Sequence, residues 1–162
     1  MDAAQKKAQK ESAQRYNEYI YNRQIGKFSN PVPYQSVLSE GDTKNDVMGT
    51  LDIPAIGIKQ LPFFHGTSYK TLDRGLGHFE PTSIPIGGIN TRSVISGHSG
   101  LKNQVLFTDI KKLKEGDVFF VNILGEKLAY EIFLMGDNYT KSQMLEVLIN
   151  TELNIDRSEE HT

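Results

Sequence analysis

The stretch SVISGHSGL, residues 93–101, runs a short apolar segment, Ser93 to Ser96, into Gly97 and then His98, with Ser99 and Gly100 behind it. Adjacent valine and isoleucine favour extended backbone, and the glycines release the chain into a loop. A strand of this kind delivers an imidazole to the rim of a fold. A histidine placed there calls for a chemical partner. Cysteine is the obvious one, and the 162 residues contain none.

Length and composition bound the answer. A chain of 162 residues can enclose one real core. Hydrophobic residues make up 38% and charged residues 23%, as in soluble globular proteins. A net charge of −2 gives no footprint for nucleic acid. No apolar run approaches the ~18 residues that span a bilayer, and no signal-peptide pattern opens the chain. Without cysteine there are no disulfides and no thiolate metal sites. Charge is uneven. Residues 1–28 carry Lys6, Lys7, Lys10, Arg15, Arg23 and Lys27 against Asp2, Glu11 and Glu18, a net of +3. Residues 137–162 carry Lys141 and Arg157 against six acids, a net of −4. A solvated helix face is the simpler reading of the basic segment, and an anionic surface the alternative.

Residues 2–22 hold strong helix formers with no Gly or Pro. Ala13, Tyr16 and Ile20 make a short stripe at helical spacing, so the helix is expected to dock by its second half and fray at its start. Residues 23–45, rich in Gly, Pro, Ser and Asn, read as an irregular surface connector. Strands follow. MGTLDI (48–53) puts Leu51 and Ile53 on one face, and KQLPFFHG (59–66) is the second. Thr67 or Ser68 can cap a helical turn through Leu72 that Gly75 ends. GHFEPTSIPIGGIN (77–90), with two prolines and Gly-Gly, reads as a loop holding His78, and His65 is also assigned to a loop. Leu106, Ile110 and Leu113 predict a helix closed by Gly116. VFFVNIL (118–124) and KLAYEIFLM (127–135) predict a hairpin turning at Gly125-Glu126, with Phe119, Phe120, Tyr130 and Phe133 in the core. The near-continuous apolar run of the first strand predicts cover on both faces. SQMLEVLIN (142–150) reads as a short amphipathic helix, and LNI (153–155) as extended.

Three segments carry a resemblance: FFHGTSYKTLDRGLGHFEPTSIPIGG, then SVISGHSGL, then LFTDIKKLKEGDVFFVNILGEKLAYEI. In this order and spacing they resemble the central part of a sortase, most closely the pilin-polymerising class C sortases of Gram-positive bacteria. The resemblance runs from about Met48 to about Tyr130 and continues weakly to LNIDRSEEHT. It implies a mainly β fold, a sortase-type β-barrel with short peripheral helices and an N-terminal helix, lacking its last strands. Residues 1–45 would be the helix and connector, a candidate lid region, and residues 46–162 the barrel domain. It implies a cysteine transpeptidase that cleaves a Leu-Pro-x-Thr-Gly-like sorting signal and joins pilin subunits through a lysine isopeptide bond. His98 falls at the family's catalytic histidine. No cofactor and no metal is implied. The partners would be pilin subunits bearing sorting signals, with no nucleic acid. The place would be the extracellular face of a Gram-positive membrane, with the anchors outside this chain.

The chain departs from the family pattern in three ways. The family's Thr-Leu-Val-Thr-Cys strand is expected at or after Thr162, with the arginine beyond it, so the chain alone is expected to be inert. The Asp-Pro-aromatic lid motif is not present, and Asn30-Pro31 and Pro33-Tyr34 stand in that region, making Pro33 and Tyr34 the lid candidates. The family's membrane anchors are not in the chain. Without the catalytic strand and its partner, the edge of 93–96 is expected to be bare. A strand-exchanged second copy or a separate C-terminal fragment would then fill it. The alternative function is a non-catalytic, sortase-derived assembly or binding module. A zinc site of His65, His78 and His98 matches no zinc spacing. Ser96 and Ser99 lack the G-x-S-x-G elbow of a serine nucleophile.

Overall fold

The computed structural model describes residues 2–38, 47–98, 112–132 and 144–150. Helix α1 spans Ala3–Gln24. Its first turn is held by a capping box: the Asp2 carboxylate accepts the Gln5 N–H at 2.8 Å, and the Gln5 side-chain oxygen accepts the Asp2 N–H at 2.9 Å. This polar fastening stands where the apolar pattern pointed to fraying. Gln9, Ala13, Tyr16, Asn17 and Ile20 form the buried stripe, so docking starts one turn earlier than expected. Asn17 clamps the backbone of Ile84, donating to its oxygen at 3.0 Å and accepting from its nitrogen at 2.7 Å. The Tyr16 hydroxyl donates to the Glu80 oxygen.

Seven strands form one sheet that curls into a half-barrel. They are β1 (Val47–Ile53), β2 (Ile58–His65), β3 (Leu76–His78), β4 (Arg92–His98), β5 (Val118–Ile123), β6 (Glu126–Glu131) and β7 (Met144–Asn150). Their order is β6-β5-β1-β2-β3-β4-β7. β1 and β2 make a hairpin, and β2 and β3 lie parallel. A parallel pair needs a crossover, which is α2 (Tyr69–Arg74), capped by the Ser68 hydroxyl on the Thr71 N–H and ended at Gly75 as predicted. Leu51 and Ile53 share the buried face of β1, also as predicted. One core joins α1, through Ala13, Tyr16 and Ile20, to Phe63, Ile84, Ile95, Val121 and Tyr130 of the sheet side. No helix of the described residues is long and apolar enough to cross a membrane.

Four expectations are corrected. First, residues 144–150 form strand β7, which pairs antiparallel with all seven residues of β4. Leu145, Val147 and Ile149 alternate as a strand does, while Leu145, Leu148 and Ile149 stand at helical spacing, and an open strand edge decides between them. The edge of β4 is therefore covered by the chain's own residues and is not bare. Second, the β5–β6 turn is Leu124-Gly125, one residue earlier than read, with φ of 51° and 76°. Both values are positive, as a type I′ turn requires. Third, β5 is covered on one face only: Phe119, Val121 and Ile123 are buried, Val118 is exposed, and Phe120 lies partly under the Lys127 ammonium at 4.6 Å. Fourth, His65 and His78 end strands β2 and β3 and are paired across them. Phe119 and Tyr130 are core residues as expected, stacked at 5.6 Å. Phe133, the segment 153–155 and most of the helix expected over 106–113 lie outside the described residues.

Gly77 fixes how closely the crossover approaches the sheet. A Cβ there would sit on the Gly66 carbonyl oxygen and 3.2 Å from the Leu72 side chain. The Leu72 side chain can shift, but the Gly66 carbonyl cannot yield without moving backbone. Gly77→Ala is expected to cost about 1–3 kcal/mol of stability, the range for overpacking. Urea unfolding against the parent protein checks it, and an unchanged midpoint would contradict the close approach.

Candidate active site

His98 is the last residue of β4, and its backbone pairs with Met144 of β7. Val94 and Ile95 fix the strand in the core. The structure thus places His98 at a strand end, as the opening stretch predicts. Ser96, two residues earlier, is buried, so its hydroxyl is not offered to a substrate. Ser99 lies outside the described residues.

The two lid candidates separate. Pro33 is exposed, whereas Tyr34 is buried at the start of a 3-10 turn, Tyr34–Ser36. Its ring stacks on His78 at 5.6 Å and meets His65 edge-on at 5.4 Å. Its hydroxyl lies 2.8 Å from His78 Nδ1 and accepts the Gly66 N–H at 3.1 Å. His78 Nε2 lies 2.7 Å from the Ser83 carbonyl oxygen. A carbonyl can only accept, so Nε2 carries the proton, Nδ1 is bare, and the Tyr34 hydroxyl donates to it. His65 Nε2 likewise donates to the Val37 oxygen at 2.6 Å. Two histidines paired across β2 and β3 therefore hold the connector at Tyr34 and Val37. His78 pairs with Ile95, three residues before His98 along β4, or about 10 Å of strand.

This assembly is structural in its chemistry. His78 is 0% exposed, and burial pushes its pKa down to about 4. Burial also raises the Tyr34 hydroxyl well above its usual range. Both groups are neutral at pH 7 and fully hydrogen-bonded, so neither is poised as acid or base. Among the described residues no cluster of three metal-ligating side chains is assembled. The Tyr34–His78 pairing was missed in the sequence. Its only signal was an aromatic hydroxyl inside a proline-flanked segment, which does not reveal a partner 44 residues away.

His78 makes stability depend on pH. Its folded pKa of about 4 lies below the unfolded value near 6.5. The unfolded chain therefore takes up the proton first. Above pH 6.5 neither state is protonated and nothing is lost. As pH falls from 6.5 to 4, stability is expected to drop by roughly 3 kcal/mol, then to level off as the folded state also protonates. Urea midpoints between pH 7 and 4 should show this slope in the parent and not in His78→Gln. Parallel profiles would contradict it.

A sequence model of the sortase domain matches residues 51–156. That span includes His98 and every described strand except the start of β1. Among solved structures, a complex of Clostridium perfringens sortase C with the C-terminal cell wall sorting signal motif is 40% identical, with a TM-score of 0.67 over 83% of this chain and 64% of that one. Sortase C1 of Streptococcus agalactiae is 36% identical, with a TM-score of 0.70 over 90% of this chain and 77% of that one. A lid mutant of the same enzyme is 26% identical, with a TM-score of 0.72 over 92% of this chain and 88% of that one. This chain thus spans less than two thirds of the first structure's length. No curated protein matches the chain. With a sortase domain matched over most of the sheet and solved sortases 36–40% identical to it, the chain belongs to the sortase family, and its structural neighbours include class C members.

Proposed function

We propose that the chain serves a cysteine transpeptidase that cleaves a Leu-Pro-x-Thr-Gly-like sorting signal and joins pilin subunits through a lysine isopeptide bond. The observation that carries this reading is the delivery of His98 by β4 inside the matched sortase domain. In the reaction a thiolate attacks the threonine carbonyl, and the Thr–Gly bond breaks. His98, as imidazolium, protonates the departing glycine amine. A thioester remains. A lysine amine of the next subunit attacks it, gives its proton back to the imidazole, and releases the thiolate. The 162 residues hold no cysteine, so the thiolate of this scheme comes from outside them. The family arginine that steadies the oxyanion is assigned outside them as well. The working place is the extracellular face of a Gram-positive membrane.

The neighbours support this reading by kind: the C. perfringens enzyme is held in complex with a cell wall sorting signal motif. The seat of Tyr34 among His65, His78 and Gly66 supports a bracing role for the connector in place of a cover over His98. Titration of the chain with a sorting-signal peptide, followed by amide NMR, tests the proposal. Shifts are expected along Arg92–His98 and absent with a scrambled peptide. Equal shifts with both peptides would favour the non-catalytic binding module.

A further inference from the structure

The end of α1 is built as a fixed, protruding apolar tip with two cations close by in the chain. Phe28 is 86% exposed and Ile25 is 55% exposed, the two most exposed large apolar residues of the described sequence apart from Ile89. They do not hang on a loose tail. Gly26, at φ 74°, closes the helix in a Schellman motif: the Lys27 N–H donates to the Asn22 oxygen at 2.8 Å, and the Gly26 N–H to the Arg23 oxygen at 3.2 Å. A Cβ built on Gly26 meets nothing within 4 Å, so the tip stands clear of the fold. The far end of the same helix is fastened to the sheet by the Lys10–Glu126 ion pair at 2.7 Å. Arg23, its guanidinium over the Tyr19 ring at 5.7 Å, precedes the apolar pair, Lys27 lies between its two members, and no acidic residue occurs from Tyr19 to Leu38.

We propose that Ile25 and Phe28, with Arg23 and Lys27, form a contact for an anionic lipid surface. Two exposed apolar side chains on a fixed turn can enter a lipid interface without reshaping the protein. Aromatic residues are favoured at that depth, and cations beside them lie level with the headgroups. The absence of acids on this stretch gives the charge complementarity that an anionic headgroup layer needs and a neutral one does not. The contact is shallow and weak by itself, and it sets the orientation of the domain on the surface. It stands on exposure and charge alone and does not depend on the transpeptidase reading.

The chain has no tryptophan, so Phe28→Trp is a single fluorescent reporter at the tip. With vesicles containing phosphatidylglycerol its emission is expected to shift to the blue, and brominated acyl chains are expected to quench it. Phe79→Trp, a reporter at a residue 42% exposed elsewhere, is expected to show neither change. Adding Arg23→Glu and Lys27→Glu to the reporter should lower partitioning at least about tenfold, and 0.5 M salt should do the same without any charge substitution. Four results would overturn the proposal: no shift, an equal shift at Phe79→Trp, an equal shift with pure phosphatidylcholine, or a shift that grows with protein concentration in the absence of lipid. The last would assign the tip to a second copy of the chain.

Discussion

Mixed with a Leu-Pro-x-Thr-Gly-type peptide and an amine acceptor, the 162-residue polypeptide is expected to release no product and to carry no acyl adduct. The expectation rests on chemistry more than on shape. The reaction needs a nucleophile that is ionised near neutral pH, and cysteine is the side chain that supplies one at modest cost. The chain has none. A serine hydroxyl needs a general base aimed at it, and Ser96 is buried in β4. The histidines of known surroundings are already engaged: His78 is neutral and bonded on both nitrogens, and His65 is bonded to Val37. Intact-mass analysis and product chromatography read the result. An adduct that survives purification and vanishes in His98→Ala would contradict the expectation.

Truncating Tyr34 is expected to give the largest stability loss of any single change considered. Tyr34→Ala removes a buried aromatic ring, which costs about 3–5 kcal/mol. It also strands the buried His78 Nδ1, adding roughly 1–3 kcal/mol if no water reaches it, and the half-buried Gly66 N–H, which adds less. The sum is comparable to the ~5–15 kcal/mol by which a whole domain is stable. Tyr34→Phe keeps the ring and loses only the hydroxyl, so about 1–3 kcal/mol is expected. Urea unfolding of both variants measures the difference, and exchange of the Gly66 amide reports the local loss. Tyr34→Ala within 1 kcal/mol of the parent would show that the connector is not braced through this ring.

Much of the sheet was legible because its signals are local. Leu51 and Ile53 alternate, Ser68 and Gly75 bracket a short helix, and Val94-Ile95 lead to a glycine and a histidine. The place of His98 at a strand end was legible from the residues, whereas the role assigned to it comes from the resemblance, since a histidine after a strand has no unique chemistry. The failures have a common cause. MLEVLIN has apolar positions that fit either period, and the choice depends on the free edge of β4, which no local pattern shows. The hairpin turn was read one residue late because Leu124 takes a positive φ that leucine rarely adopts, imposed by the register of β5 on β6. His65 and His78 stand among prolines and glycines that point to loops. Their places are set by a parallel pairing across a crossover, and by a tyrosine far away in the chain.

If β4 presents His98 as the imidazole partner of a thiolate, a cysteine set opposite it should ionise early. Met144 is the backbone partner of His98 across β4 and β7. Directly opposed residues of an antiparallel pair have Cβ atoms about 4.5–5.5 Å apart, so Met144→Cys supplies the chain with a single thiol in register with the histidine. The measurement is the pH dependence of its alkylation by iodoacetamide, with and without His98→Ala. The thiol is expected to ionise well below the ordinary value near 8.5 when His98 is present, and at the ordinary value when it is replaced. Identical profiles for the two proteins would contradict it.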